Sequence, residues 1–121
     1  MVLSQPTTTK NKLKEKPRLS LQYEKIGNDT HTLRSLDWDR SRFDIEFGLR
    51  NGTTYNSFLI RSKKTALLDT SHLKFKDIWF EKLKQEINPI DIDFLIVHHT
   101  EPDHSGLIKY LIDLNPNIEI V

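Results

Sequence analysis

The apolar positions along this chain follow one period up to Asp69 and another beyond it. Leu21-Gln22-Tyr23-Glu24-Lys25-Ile26 and the run Thr30 to Leu36 flank Gly27-Asn28-Asp29, a turn-forming centre, and so predict a hairpin. Phe43-Asp44-Ile45-Glu46-Phe47 alternates apolar with polar residues, the mark of a half-buried strand. Asn51-Gly52 signals a turn, and a β-rich run from Thr53 to Ile60 follows it. Arg61-Ser62-Lys63-Lys64 makes the next connection, and Ala66-Leu67-Leu68 leads to Asp69. The spacing then becomes three and four: Phe75, Ile78, Trp79, Leu83 and Ile87 predict an amphipathic helix, which Asn88-Pro89 ends. Ile92 to Val97 reads as a buried strand. Leu107, Ile108, Leu111, Ile112 and Leu114 form a second helical stripe, with Ser105 as its N-cap and Asn115-Pro116-Asn117 as its stop. Ile118-Glu119-Ile120-Val121 begins a further strand. The order is antiparallel strands, then helix, strand, loop, helix, strand, and the class is α/β.

Composition narrows the picture. A chain of 121 residues makes one domain the default, with ordered structure expected from Leu19. Lys and Arg number 18 against 17 Asp and Glu, a net charge of +1 that calls for no nucleic-acid partner. Apolar content of 36% is low for a compact domain, so part of the chain is expected to be unfolded or unfinished. Residues 1–18 fit that part: Thr7-Thr8-Thr9 and the alternating Lys10, Lys12, Lys14 and Lys16 read as a disordered basic tail in the cytoplasm. A plastid transit segment shares this hydroxylated, basic composition, whereas a secretory signal would need a hydrophobic core that is missing here. No apolar run reaches the ~18 residues that span a bilayer. Trp38 and Trp79 are expected as core fillers, and His31 and His72 as surface residues.

The densest chemistry lies in His98-His99-Thr100-Glu101-Pro102-Asp103-His104-Ser105-Gly106, directly after the apolar strand. Open α/β sheets place their ligands at that carboxyl end. In an extended loop residues two apart project to one side, so His99 and Glu101 can grip one ion. Asp103 and His104 can reach a second as the backbone turns into the helix, with the ions ~3.5–4 Å apart. Pro102 stiffens the turn, and Gly106 lets the helix start approach closely. Cysteine is absent, so the ligands are nitrogen and oxygen only. That set suits non-haem iron, manganese or zinc, and a Glu in place of a third His tilts it toward iron or manganese. The plainer reading, a solvated polar loop, does not account for this spacing behind a buried strand. His98 is expected to pack at the strand end rather than to ligate. Asp69 reads equally as a carboxylate behind the ligands or as a turn cap.

The loop resembles the metal-binding segment of flavodiiron proteins, which join a metallo-β-lactamase-like domain to a flavodoxin-like one. Leu36-Asp37-Trp38-Asp39-Arg40 with Phe43-Asp44, Gly52-Thr53-Thr54-Tyr55-Asn56-Ser57, and Ala66-Leu67-Leu68-Asp69-Thr70 follow in the order of that family. The basic, Thr-containing tail is similar to that of cyanobacterial diflavin members. The resemblance covers residues 19–121 and implies the N-terminal half of a metallo-β-lactamase-like αββα sandwich, incomplete at its C-terminal side. The wider superfamily has His-x-His-x-Asp-His and commonly holds zinc. Glu101 takes the second His place, as in the di-iron branch, so His99 and Glu101 are implied for one iron and Asp103 and His104 for the other. The resemblance further implies dioxygen or nitric oxide as substrate and FMN supplied across a head-to-tail homo- or heterodimer, its site outside this chain. Remaining His ligands and a bridging carboxylate are expected downstream of the motif, and the chain stops in a strand before any of them. Three functions stand beside one another: a flavin-linked reductase of dioxygen or nitric oxide, a metal-dependent hydrolase of the same superfamily, and a non-catalytic truncated remnant.

Overall fold

The computed structural model describes residues 19–39, 42–43, 47–48 and 52–121. The expected tail over residues 1–18 lies outside the described residues, as do Asp44, Ile45 and Glu46 of the expected strand. Strands β1 (Leu19–Lys25) and β2 (Thr30–Asp37) form the hairpin, closed where the N–H groups of Ile26 and Gly27 both donate to the Thr30 carbonyl. Short strands β3 (Arg42–Phe43) and β4 (Phe47–Gly48) pair antiparallel, Phe43 opposite Phe47. The single strand expected over Phe43 to Phe47 is therefore replaced by two strand ends facing each other.

Strands β5 (Thr53–Arg61) and β6 (Thr65–Leu68) add antiparallel to β2. Gly52, which precedes β5, has φ 75°, and a Cβ there would lie 1.9 Å from the Asp37 carbonyl, so no other residue fits that turn. The sheet then changes sense. Helix α1 (Lys76–Glu86), entered through a 3₁₀ turn at Leu73–Phe75, crosses back to β7 (Phe94–Ile96), which pairs parallel with β6. The short helix α2 (Pro102–Ser105) and α3 (Ile108–Leu114) lead to β8 (Glu119–Ile120), parallel to β7. One sheet of six strands results, in the order β1-β2-β5-β6-β7-β8.

Register explains which residues form the core. Leu33, Tyr55, Leu59, Leu67 and Leu95 fall on one face and are buried with Phe75, Trp79, Phe80 and Leu83 from the α1 region and Leu107 and Leu111 from the α3 region. Trp79 fills the centre as expected, its indole N–H donating to Ser57 Oγ at 3.1 Å. The opposite face carries Phe58, Ile60, Leu68, Phe94 and Ile96, which are only half-buried. A sheet apolar on both faces belongs to a layered sandwich, and it is why the β7 segment reads as a continuous apolar run.

Three expectations need correction. Trp38 is 45% exposed and its indole donates to Ser20 Oγ, because Asp37 before it points inward and alternation turns Trp38 outward. His31 and His72 are half-buried, His31 stacked on Tyr23 with centroids 4.9 Å apart and His72 accepting from the Lys74 N–H at 3.1 Å. Ser105 caps nothing. Pro102, pre-set for a first helical position, starts α2 a turn early, and Ser105 ends that helix with its hydroxyl donating to the Thr100 and Glu101 carbonyls.

Candidate metal centre

Strands β6 and β7 end side by side, and the loops leaving them build the site together. Asp69, just past β6, is 5% exposed and holds φ 61°, a left-handed conformation that Asp tolerates better than most residues. Its Oδ1 accepts from the N–H of His98 at 2.7 Å and of His99 at 3.3 Å. Its own N–H donates to the Ile96 carbonyl at 2.9 Å. One residue thus extends the β6–β7 ladder and holds the first two residues of the His98–Gly106 loop. What the structure shows of Asp69 is a carboxylate bonded to the backbone of the loop, through the N–H groups of His98 and His99.

Thr70 fixes the far side. Its N–H and its hydroxyl both donate to the His104 carbonyl at 2.8 Å, and its Oγ1 accepts from the Leu107 N–H at 3.2 Å. Gly106 lies against the same segment: a Cβ there would stand 2.7 Å from the Pro102 carbonyl, 2.8 Å from the Leu73 nitrogen and 2.9 Å from the Ser71 carbonyl. The close approach expected of Gly106 is present. Thr70 was missed from the sequence, because its partners lie 34 and 37 residues away.

The four expected ligands stand in the two expected pairs. His99 Nδ1 is 3.6 Å from Glu101 Oε1, and His104 Nε2 is 3.8 Å from Asp103 Oδ2. Two donors bonded to one ion at about 2.1 Å sit about 3.0 Å apart at a right angle and about 3.6 Å apart at 120°. The first pair meets that limit and the second lies just outside it. The rings of His99 and His104 are 5.1 Å apart at their centroids, tilted by 33°. His98 is exposed, its ring edge-on to that of His99 with centroids 4.5 Å apart. Exposure is graded across the loop, from Glu101 at 67% and His99 at 47% of the side chain to His104 at 24% and Asp103 at 10%. Among the described residues no three His, Asp or Glu side chains gather as a single-ion site, so each pair offers an ion half or less of its ligands. On the other side of its ring, His104 Nδ1 is buried without a hydrogen-bond partner, 3.8 Å from Asp69 Oδ2. The donors are nitrogen and oxygen only, and they stand as pairs at the ends of two strands.

No protein-family model matches the chain. It is 61% identical over 104 residues to the putative diflavin flavoprotein A 1 of Nostoc sp., an alignment covering 86% of this chain and 18% of that protein. The Flv1 flavodiiron core of Synechocystis sp. superposes with a TM-score of 0.77 at 36% identity, over 86% of this chain and 26% of that one. The chain belongs to the flavodiiron protein family. A third likeness, to rubredoxin oxygen:oxidoreductase of Desulfovibrio gigas, has a TM-score of 0.74 at 32% identity over 82% of this chain and 25% of that one. Its architecture is the α/β, metallo-β-lactamase-like core of flavodiiron proteins. The chain spans less than a fifth of the Nostoc protein's length. No helix among the described residues is long and apolar enough to cross a membrane.

Proposed function

We propose that this chain contributes four ligands to a non-haem di-iron centre in an enzyme that reduces dioxygen to water with electrons from FMN. His99 and Glu101 would hold one iron, Asp103 and His104 the other. The observation that carries the reading is the pairing of these side chains, at 3.6 Å and 3.8 Å, on a loop clamped to the end of a parallel strand. Bound there, the irons would supply the electron transfer to dioxygen that organic side chains cannot perform.

The chain's own part is to hold and balance. Glu101 and Asp103 offset metal charge, and the imidazoles complete a set in which a carboxylate replaces one histidine of the zinc pattern, which favours iron over zinc and reduction over hydrolysis. Asp69 and Thr70 fix the loop before any ion arrives. The oxygen named for the Desulfovibrio gigas relative favours dioxygen over nitric oxide. The greater length of the relatives supports treating these four groups as a share of the ligand set, with the other ligands and the FMN site on further polypeptide. In this reading the enzyme works in the cytoplasm as a head-to-tail homo- or heterodimer, the second subunit bringing its FMN to the irons, and residues 1–18 are a basic tail outside the catalytic domain.

Metal and flavin analysis of the protein isolated from its own cells, with oxygen uptake, tests this. About two irons per chain, FMN and flavin-dependent uptake are expected. Zinc with esterase activity and no flavin would overturn it in favour of a hydrolase.

A further inference from the structure

The segment after β6 is tied to a strand that is not its neighbour. Thr70 to Lys74 pass Tyr55 of β5, whose ring lies 6.1 Å from that of His72 and meets Phe75 edge-on at 5.8 Å. On the far side they are held by β2, which β5 separates from β6 in the sheet. Ser71 Oγ donates to Ser35 Oγ at 2.7 Å. Lys74 Nζ pairs with Asp37 Oδ2, which also accepts from the Tyr55 hydroxyl at 2.7 Å. On its near side the same segment carries the His98–Gly106 loop. Thr70 holds the His104 carbonyl and the Leu107 N–H. The Leu73 nitrogen and the Ser71 carbonyl stand 2.8 Å and 2.9 Å from where a Cβ on Gly106 would lie. Thr70 to Lys74 thus form a bridge between the N-terminal hairpin and the loop.

One of the two ties to β2 is costly. The Asp37 carboxylate is fully buried, Lys74 is one-third exposed, and Asp37 Oδ1 has no hydrogen-bond partner. An ion pair in such a setting gains little beyond the desolvation of its own charges, and apolar side chains of similar volume commonly hold a fold as well or better. The Ser35–Ser71 pair shows that a neutral tie can join the same two segments. What the charge adds is selectivity. It demands one arrangement, with Lys74 and Tyr55 both on Oδ2, where apolar side chains would tolerate several.

We infer that Asp37 is a positioning residue for the loop: its ion pair with Lys74 fixes the bridge in the one placement at which Thr70 meets His104 and Leu107. Asp37 acts through Lys74 and Thr70 on the backbone of His104 and Leu107, not on a ligand atom. What the loop binds is taken from the di-iron reading; where it lies is decided by these contacts alone.

Amide hydrogen exchange in the metal-free 121-residue protein separates placement from stability. Asp37→Asn keeps an acceptor for Tyr55 and removes the charge that holds Lys74. Exchange at the Thr70 and Leu107 amides should quicken about 2- to 30-fold, the range usual for a change passed through a packed network, with Leu59 and Leu67 in the sheet unchanged. The triple variant Asp37→Leu, Tyr55→Phe, Lys74→Met makes the cluster apolar. Its melting temperature should equal or exceed that of the wild type while the Thr70 and Leu107 amides stay fast. Wild-type exchange at both amides in a folded Asp37→Asn or in the folded triple variant overturns the inference, and so does equal quickening at Leu59 and Leu67. Should Asp37→Asn not fold, Lys74→Gln at the exposed end of the pair decides in the same way.

Ferrous iron titrated without air into the folded variants should bind more weakly by a factor similar to that of the amides. Fast amides beside an unchanged iron affinity would refute the role in the site. A wild type that takes zinc but no iron would refute the di-iron reading instead, and leaves the placement of the loop to the exchange rates, which need no metal.

Discussion

The two ends of the β6–β7 strand pair are closed by the same device used for different purposes. At the start of the pair, Asp93 Oδ2 accepts from the Thr65 N–H at 2.8 Å, and at its finish Asp69 Oδ1 accepts from His98 at 2.7 Å. Each is a carboxylate on one strand's flank binding a backbone N–H of the other strand's flank. Asp93 spends both its position and its charge on that bond, half-buried, in ordinary backbone geometry. Asp69 is buried, sits at a positive φ, serves two N–H groups, and still keeps an oxygen facing an imidazole. The positive φ and the oxygen that faces an imidazole belong to the Asp69 end.

Removing the acceptors should separate the two ends. The largest loss is expected for Asp69→Ala, which leaves the N–H groups of His98 and His99 unpaired at a part-buried site and should cost about 2–4 kcal/mol, read by urea denaturation. Gly106→Ala ranks next. Three backbone atoms within 3 Å of the new methyl cannot give way cheaply, and about 1–3 kcal/mol with displaced α2 amide resonances is the expected result. Asp93→Asn should cost less than about 1 kcal/mol and leave metal content untouched, since the amide oxygen still accepts from Thr65. If Asp93→Asn lowers iron as much as Asp69→Asn does, the contrast between the clamps is wrong.

The smallest effect lies away from both clamps. Burial pushes the Tyr23 hydroxyl above its ordinary value of 10.0, Glu86 pushes it the same way, and Arg61 opposes. The folded state therefore keeps the phenol proton where the unfolded chain releases it. Stability should be level below pH 10 and fall as pH rises past it, in melting curves taken from pH 9 to 11. Tyr23→Phe should flatten that fall, while neither Asp variant should change it.

What the sequence disclosed follows the range of the physics involved. Local periodicity placed the hairpin, the long helix and the strand before the loop, because each reports a face that neighbouring residues share. The pairing of His99 with Glu101 and of Asp103 with His104 was legible for the same reason, being set within six residues. The support behind them was less so: Asp69 stayed between two readings and Thr70 had none, because Asp69 meets His98 across 29 residues and Thr70 meets His104 across 34, distances over which no spacing rule operates. Trp38 and Ser105 were misjudged where a neighbour decided the outcome, the inward Asp37 in one case and the early helix start at Pro102 in the other.

Iron content carries the central claim. The measurement is metal per chain in the protein isolated from its own cells, wild type beside Glu101→Ala and Asp103→Ala, each checked for fold by its melting curve. About two irons are expected in wild type, and a fall of at least half in each variant with the melting transition retained. Two irons kept by both folded variants, or zinc in place of iron in the wild type, would contradict the assignment of the loop as a share of a di-iron centre.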